Sequence, residues 1–491
     1  MMIRGGLLFR QSAIFLVVLF FISSKLDAMS CPATTPWATP INLSNSGIVT
    51  SGIFSAGTAA GFMAVWADSS NNAHYNFSTD GSTWQTGLIT PAQGDVSSGS
   101  NVFIAGNATG FIVTWVDNSN NAWSCFSTDN GNSWSAKIQI NPTLVLAPSS
   151  DVYVNGGSSG FIAAIIDSSN NAWASFSDGT AAWSSPVQVT TDNSVNNSLI
   201  TRQYVSVAVN GNSCMLTWLN NSDVTYSAYF ESINPFEPNP VTNYPIVNVG
   251  FSESVPIVTQ MNGYFMAVAR VNAGAAGQTY FSVATTPSNW ATFSVVAPNP
   301  SDTEAGPWVA ANYTGFISAW IVGSSADSPG SPMWTLSNNN GFNWTPVCSI
   351  LPTLSTTIEG PVGLSANAQG FVATWFDSND SNAYTSFYSA PGLLPPNSLQ
   401  GCKTQNRFLT QSDLINKLTW QAPASGAAPA AYKIYRNVEL TDLVATVSAS
   451  APLQYFDHNR QPNIVYSYYV VCVDGSGSVS APASVTVTQA C

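Results

Sequence analysis

Three glutamates, Glu253, Glu304 and Glu359, each stand two or three residues ahead of a proline: Pro256, Pro307 and Pro361. With Asp95, Asp151 and Asp302 they are the carboxylates best placed for a catalytic pair, because glycosidic-bond hydrolysis needs two carboxyl groups roughly 5 to 10 Å apart. A second acidic set repeats as Asp68-Ser69-Ser70-Asn71-Asn72, Asp117 to Asn121, Asp167 to Asn171 and Asp377 to Asn382. Asp, Asn and Ser oxygens suit Ca²⁺, which makes Asp68, Asp117, Asp167 and Asp377 the candidate metal ligands, but the Gly-and-Glu pattern of an EF-hand loop is missing. Tight hairpins need the same residues, and one loop repeated on one face suits multivalent binding. No other cofactor is implied. There is no Gly-rich phosphate loop and no Gly-x-Ser-x-Gly elbow. His74 and His458 are too few and too far apart, and the cysteines too scattered, for a zinc site.

Charge narrows the partners. Between Cys31 and Gly392 there are 19 acidic residues against three basic ones, Lys137, Arg202 and Arg270. Phosphate contacts need clustered Lys and Arg, so nucleic acid and anionic membranes are excluded as partners of this region. From Leu393 onward the charge is nearly balanced, with five acids and six bases.

Met1 to Ala28 has the form of an export signal, with Arg4 and Arg10 ahead of an apolar run from Ala13 to Ile22 and small residues near Ala28. About ten apolar residues are too few to span a bilayer comfortably, and no later segment is apolar enough to cross. The expectation is export, to the periplasm, the cell surface or the medium, with no membrane span after cleavage. An exported protein permits disulfides, and the seven cysteines leave at least one thiol free. For Cys402 the candidate partners are Cys491 and Cys472.

The elements that would position these groups recur. An apolar strand opening with Gly or Ser begins at residues 61, 110, 160, 213, 263, 315 and 370. A period near 50 with four extended stretches per unit predicts propeller blades. Seven blades is the count predicted, with six plus an irregular insert as the alternative. The second stretch of each unit is apolar on both faces, as expected between two other sheets. Trp37 to Leu43 reads like the fourth strands that follow Trp134 and Trp183. It is predicted to complete the last blade and remove two free sheet edges. After Pro395-Pro396, short alternating strands at Lys417–Trp420, Tyr432–Arg436, 443–447, 465–473 and 484–487 predict a β-sandwich.

Between third and fourth strands lies Ser127-Thr128-Asp129-Asn130-Gly131-Asn132-Ser133-Trp134, a full Ser-x-Asp-x-Gly-x-x-Trp. Ser78 to Trp84, with Asp80, is one residue short, and Ser337 to Trp344 has Asn339 in the Asp place. Residues 31–392 thereby resemble the Asp-box (BNR-repeat) sialidase-like β-propeller superfamily. The resemblance implies a structural role for Asp80, Asp129, Trp84, Trp134 and Trp344, away from any active site. Sialidases of that family hold a substrate carboxylate with three arginines. The only arginines of this region are Arg202 and Arg270, so the triad cannot be assembled. Residues 393–491 resemble a fibronectin type III domain, carried by the Trp420 strand, Tyr432-x-Ile434-Tyr435-Arg436 and Tyr466 to Val470. That resemblance makes Tyr466 the corner tyrosine.

The combined expectation is an all-β protein, a seven-bladed propeller followed by a fibronectin type III-like sandwich. Its function would be non-catalytic recognition or adhesion, with a glycan or an extracellular protein bound on the acidic loop face. The alternative is a glycoside hydrolase using the channel-mouth carboxylates Glu253, Glu304 and Glu359.

Overall fold

The computed structural model describes residues 31, 36–44, 48–147, 150–179, 182–190, 195, 205–222, 224–232, 243–246, 251–252, 257–261, 264–272, 277–284, 289–290, 294–295, 303–312, 314–322, 330–337, 341, 344–351, 358–389, 393–408, 411–423, 429–438, 440–473 and 479–491. The leader, Glu253, Asp302 and Arg202 lie outside them. Among the described residues, every regular element is a strand except one short turn of 3-10 helix at Thr90–Ala92.

Up to Tyr388 the described residues form seven antiparallel sheets. In the first, Phe54–Thr58, Gly61–Ala67, Ala73–Ser78 and Gln85–Leu88 pair in sequence order. The same order recurs in the sheets that begin at Phe103, Tyr153, Val205 and Thr303, and a fifth sheet, around Tyr264–Asn272, has five strands. The last sheet takes Ile358–Asn367, Gly370–Asp377 and Asn382–Tyr388, then receives Ile41–Asn42 from the beginning of the chain. Ile41 lies opposite Thr385 and Asn42 opposite Tyr384, while Trp37 bridges Tyr388.

The glycine that opens the second strand is required by backbone geometry. Gly61, Gly110, Gly160, Gly315 and Gly370 have φ between +143° and +158°, a region closed to side chains. A Cβ at Gly61 would lie 2.1 Å from the Ser78 carbonyl oxygen. The strands behind these glycines are the most buried of all, with every residue of Gly61–Ala67 and Gly160–Ile166 inside. Their apolar two-faced pattern is what sheets packed face to face demand.

Neighbouring sheets are tied at their innermost strands. The Asn107 amide donates to Gly157 O, Asn155 to Val207 O, Asn312 to Asn367 O and Asn367 to Thr58 O of the first sheet. Ser206 Oγ accepts from Val258 N, and Gly52 N donates to Asn101 Oδ1. The contacts therefore run from sheet to sheet and from the seventh back to the first, which is a β-propeller arrangement.

The C-terminal part is a sandwich of two sheets. Asn397–Phe408, Gln411–Gln421 and Gln454–Asp457 make one; the other runs Leu443–Ser448, Ala431–Tyr435, Tyr466–Val473, Ala483–Val487. Leu418, Trp420, Tyr432, Ile434, Tyr468 and Val470 fill the space between them. A disulfide joins Cys402 to Cys491, and Cys472 is a buried free thiol. A second disulfide, which spacing did not suggest, joins Cys31 to Cys348 in the fourth strand of the sixth sheet. The Tyr466 hydroxyl accepts a hydrogen bond from Gln461 N.

Candidate binding face and channel

The repeated Asp loops are built from the same parts. Asp68 Oδ1 accepts from Ser70 N and Asn72 N, and the equivalents at Asp117 and Asp167 do the same with the second and fourth residues that follow. Asn71, Asn120 and Asn170 take the left-handed conformation, φ +59° to +64°, which Asn tolerates better than other side chains. The second carboxylate oxygen reaches a ring six residues on: His74 Nε2 at 2.8 Å from Asp68, Trp123 Nε1 at 2.7 Å from Asp117, Trp173 Nε1 at 2.8 Å from Asp167. In the fourth sheet Asn220 caps the loop, and in the seventh Asp377 caps it while Asp380 accepts from the Tyr384 hydroxyl at 2.6 Å.

Three rings at this level sit beside a second ring on the adjacent strand. His74 stacks on Trp66, Tyr226 on Trp218 and Tyr384 on Trp375, with interplanar angles of 7°, 18° and 14°. Trp66, Trp218 and Trp375 are buried, whereas His74, Trp123, Trp173, Tyr226 and Tyr384 are part-exposed. One end of five sheets therefore carries a part-exposed ring, held by a loop carboxylate in the first, second, third and seventh. Sequence reading missed it, although an aromatic or His six residues after the loop Asp was a visible signal.

Partial burial pushes the Asp117 and Asp167 carboxyls upward, but hydrogen bonds from Asn121, Trp123 and Ser119, or their counterparts, outweigh it and hold both below the usual range. They are ionised at neutral pH, and their oxygens are already occupied by donors of their own loop. Asp68, Asp117, Asp167 and Asp377 belong to four different sheets. Among the described residues no group of three or more Asp, Glu, His or Cys side chains comes together to hold a metal ion.

The described acids leading into the inner strands are also engaged. Asp151 is buried and accepts from Asn101 N and Nδ2 at 2.9 and 2.7 Å. Asp95 Oδ2 accepts from Trp115 Nε1 at 2.9 Å and pairs with Lys137 Nζ at 2.8 Å, and Lys137 lies 4.4 Å from the Trp123 ring centre. Glu304 and Glu359 belong to the innermost strands Thr303–Asn312 and Ile358–Asn367.

Below this level the channel is crossed by rings. Phe54, Phe103, Tyr153 and Trp308, from the first, second, third and sixth sheets, form a continuous cluster with centroid distances of 4.2 to 6.2 Å. A cavity of about 280 Å³ adjoins them, walled by the innermost strands.

The turn Ser127–Trp134 and its counterparts at Trp84 and Trp344 join third to fourth strands. Asp129 Oδ1 accepts from Ser133 N and Ser127 Oγ, Gly131 takes φ +93°, and Trp134 packs edge-on against Tyr75 of the preceding sheet. Trp84 bonds its own turn through Gly81 O, and Trp344 packs on Phe281. Backbone donors from Thr83 and Ser82 hold the Asp80 carboxyl down from 3.8 to about 2, and the Ser133 bonds lower Asp129. A depressed folded value means these turns stabilise the fold above pH 4 and lose that contribution as pH falls toward 2. Asp80→Asn and Asp129→Asn are expected to flatten the fall in unfolding free energy between pH 4 and 2 while changing stability at pH 7 little. An unchanged acid slope would assign that fall to other groups.

No known protein-family profile matches this chain, and no curated protein matches it. Its structure is similar to that of the BP39L lectin from Burkholderia pseudomallei, with a TM-score of 0.52 at 12% identity over 77% of this chain and all of that one. It is less similar to AofleA from Arthrobotrys oligospora, with a TM-score of 0.43, 9% identity, 69% of this chain and 97% of that one. The lectin of Aleuria aurantia, described as a six-bladed β-propeller with a novel fucose recognition mode, gives a TM-score of 0.38, 11% identity, 62% of this chain and 96% of that one. At these identities the likeness concerns the fold.

Proposed function

We propose that this chain is an exported, non-catalytic glycan-recognition protein that binds through the ring-bearing loop face of its propeller. Each of the seven sheets is read as one blade, with the N-terminal strand closing the last, and the C-terminal module is read as a fibronectin type III-like spacer. The observation that carries the reading is the repeated, part-exposed ring held by a hydrogen-bonded loop: Trp123, Trp173 and Tyr384, with His74 in the first blade; Tyr226, stacked on Trp218, takes the same place in the fourth. A pyranose offers a C–H face that packs on an aromatic ring and hydroxyls that bond the adjacent Asp and Asn groups. Several such sites on one rigid face multiply weak individual affinities on a clustered glycan. Two disulfides agree with an oxidising, extracytoplasmic compartment.

A glycan array probed with the full mature chain tests this. Trp173→Ala or Tyr226→Ala alone should weaken array binding several-fold. The two combined with Tyr384→Ala should weaken it by about 100-fold or more through lost avidity, at a melting temperature that shows folded protein. Glu304→Gln and Glu359→Gln should leave binding intact. Binding that survives the triple change would overturn the assignment. Glycan cleavage abolished by Glu304→Gln or Glu359→Gln would move the protein to the hydrolase class.

A further inference from the structure

One ring of the loop face is covered from within the chain. Strand register sets Trp123 between the buried Trp115 on one side and Gln139 of the fourth strand on the other. Lys137, two residues before Gln139, brings its Nζ over the Trp123 ring, 4.4 Å from the ring centre. Asp95 fixes the ammonium at 2.8 Å, and the same Asp95 oxygen accepts from Trp115 Nε1 at 2.9 Å. Asp117 holds the Nε1 edge of Trp123 at 2.7 Å. The ring is thus engaged at its edge by a carboxylate and on its π face by a cation.

Both members of this ion pair depart from the repeat. Two residues before the strand partner of the ring, the first sheet has Thr86, the third Pro186, the fourth Asn243 and the seventh Pro40. Lys137 is the only lysine between Cys31 and Gly392. Asp95 stands one residue ahead of Val96, which bridges the loop residue Asp117. The same place is Ile48 in the first sheet and Val145 in the third, both exposed. Neither side chain could anchor a cation, so neither sheet could hold a lysine as the second does.

We propose that Lys137 closes the second blade to glycans by standing where a sugar would stack, so that binding falls to the rings of the other blades. The inference rests on the loop-face reading above. A pyranose packs its C–H surface on a bare aromatic face, and here that face carries an ammonium. Seating a sugar would break the cation–π contact and the ion pair together, and would leave Asp95 without its counter-charge. Nor does the lysine turn the site toward acidic sugars. Its charge is already matched by Asp95, and Asp117 at the ring edge leaves the surroundings net negative. Trp173 has the same carboxylate clamp, with Pro186 in the place of the lysine, and is the reference for a ring without this cover.

Titration of the full mature chain on the array glycan that wild type retains most strongly tests the proposal. Lys137→Thr gives the second blade the residue of the first and should tighten binding about threefold or more by adding one site to the face. Lys137→Arg should give no gain, because a guanidinium keeps both the Asp95 and the ring contact. Trp123→Ala should leave wild-type binding within about twofold and should remove the whole gain of Lys137→Thr, as expected if the two residues act on one site. Wild-type binding weakened as much by Trp123→Ala as by Trp173→Ala would overturn the proposal alone. So would equal binding by Lys137→Thr and wild type at equal melting temperatures. If Lys137→Thr melts well below wild type, Trp123→Ala in the wild-type chain decides the matter by itself. Trp173→Ala without effect, or no retained glycan at all, would overturn the loop-face reading and this proposal with it.

Discussion

Asp457→Ala is expected to destabilise the C-terminal sandwich by about 3–5 kcal/mol, the usual result of removing one partner from a buried ion pair. The Asp457 side chain is only 3% exposed and carries most of the polar bonding between the two sheets. Arg436, just after Ala431–Tyr435, reaches it through Nη2 at 2.8 Å and Nε at 3.1 Å, a two-pronged guanidinium–carboxylate contact. Arg460 Nε lies 3.4 Å away, and the Tyr468 hydroxyl donates to the same carboxylate while accepting from Asn416 Nδ2. Truncation leaves two guanidinium groups and a phenol without their shared acceptor. Arg436→Lys should cost less but still measurably, because an ammonium cannot make the paired contact. Hydrogen exchange across residues 397–491 of the full chain, or urea unfolding followed at this module, measures the effect. A loss below about 1 kcal/mol for Asp457→Ala would mean that packing, not this network, couples the sheets.

What the sequence made legible was local and periodic. The glycine at the start of five of the second strands recurs because its φ near +150° excludes a side chain. The hairpin Asp and Asn recur because each loop must cap the same backbone donors. Both signals lie within a few residues of the structure they dictate. The cross-strand ring clamps needed one more inference, since Asp117 and Trp123 meet only when the hairpin register is known. The inter-sheet features were invisible for a physical reason. Phe54, Phe103, Tyr153 and Trp308 touch only because their sheets are ranged about a common axis, and Cys31 reaches Cys348 across a separation of 317 residues for the same reason. The strand Asn397–Phe408 was missed because its polar run lacks alternation, and pairing with Gln411–Gln421 supplies what propensity does not. Reading loop acids as free catalytic candidates also overlooked their partners: Asp95 and Asp151 are spent on Trp115, Lys137 and Asn101.

Cys348→Ser is expected to lower the melting temperature of the propeller by about 5 °C, leaving the unfolding of the sandwich in place. The N-terminal strand holds the last sheet with few backbone bonds, since only Ile41–Asn42 pairs in regular register. Around it, Trp37 packs against Trp334 of the sixth sheet at 5.9 Å and Tyr388 of the seventh at 5.4 Å, and Ser386 Oγ donates to Ala38 O. The Cys31–Cys348 bond anchors the same segment covalently, one sheet further round. Cross-linking residues 317 apart removes chain entropy worth about 5–6 kcal/mol by the loop-closure relation, of which about 2–5 kcal/mol is commonly realised. At about 2.1 cal/mol/K per residue, a domain of roughly 360 residues shifts by about 1.3 °C per kcal/mol, so that range corresponds to about 3–7 °C. Cys402→Ser should act the other way round, because the Cys402–Cys491 loop of 89 residues closes only the sandwich. Calorimetry of the two variants beside wild type separates the transitions. If Cys348→Ser shifts the propeller by less than about 2 °C, strand pairing and the Trp37 contacts hold the ring shut unaided. A large shift would make an oxidising compartment a condition for a stable ring, because in a reducing one the clasp would rest on one short strand pairing, a few flanking hydrogen bonds and the Trp37 contacts.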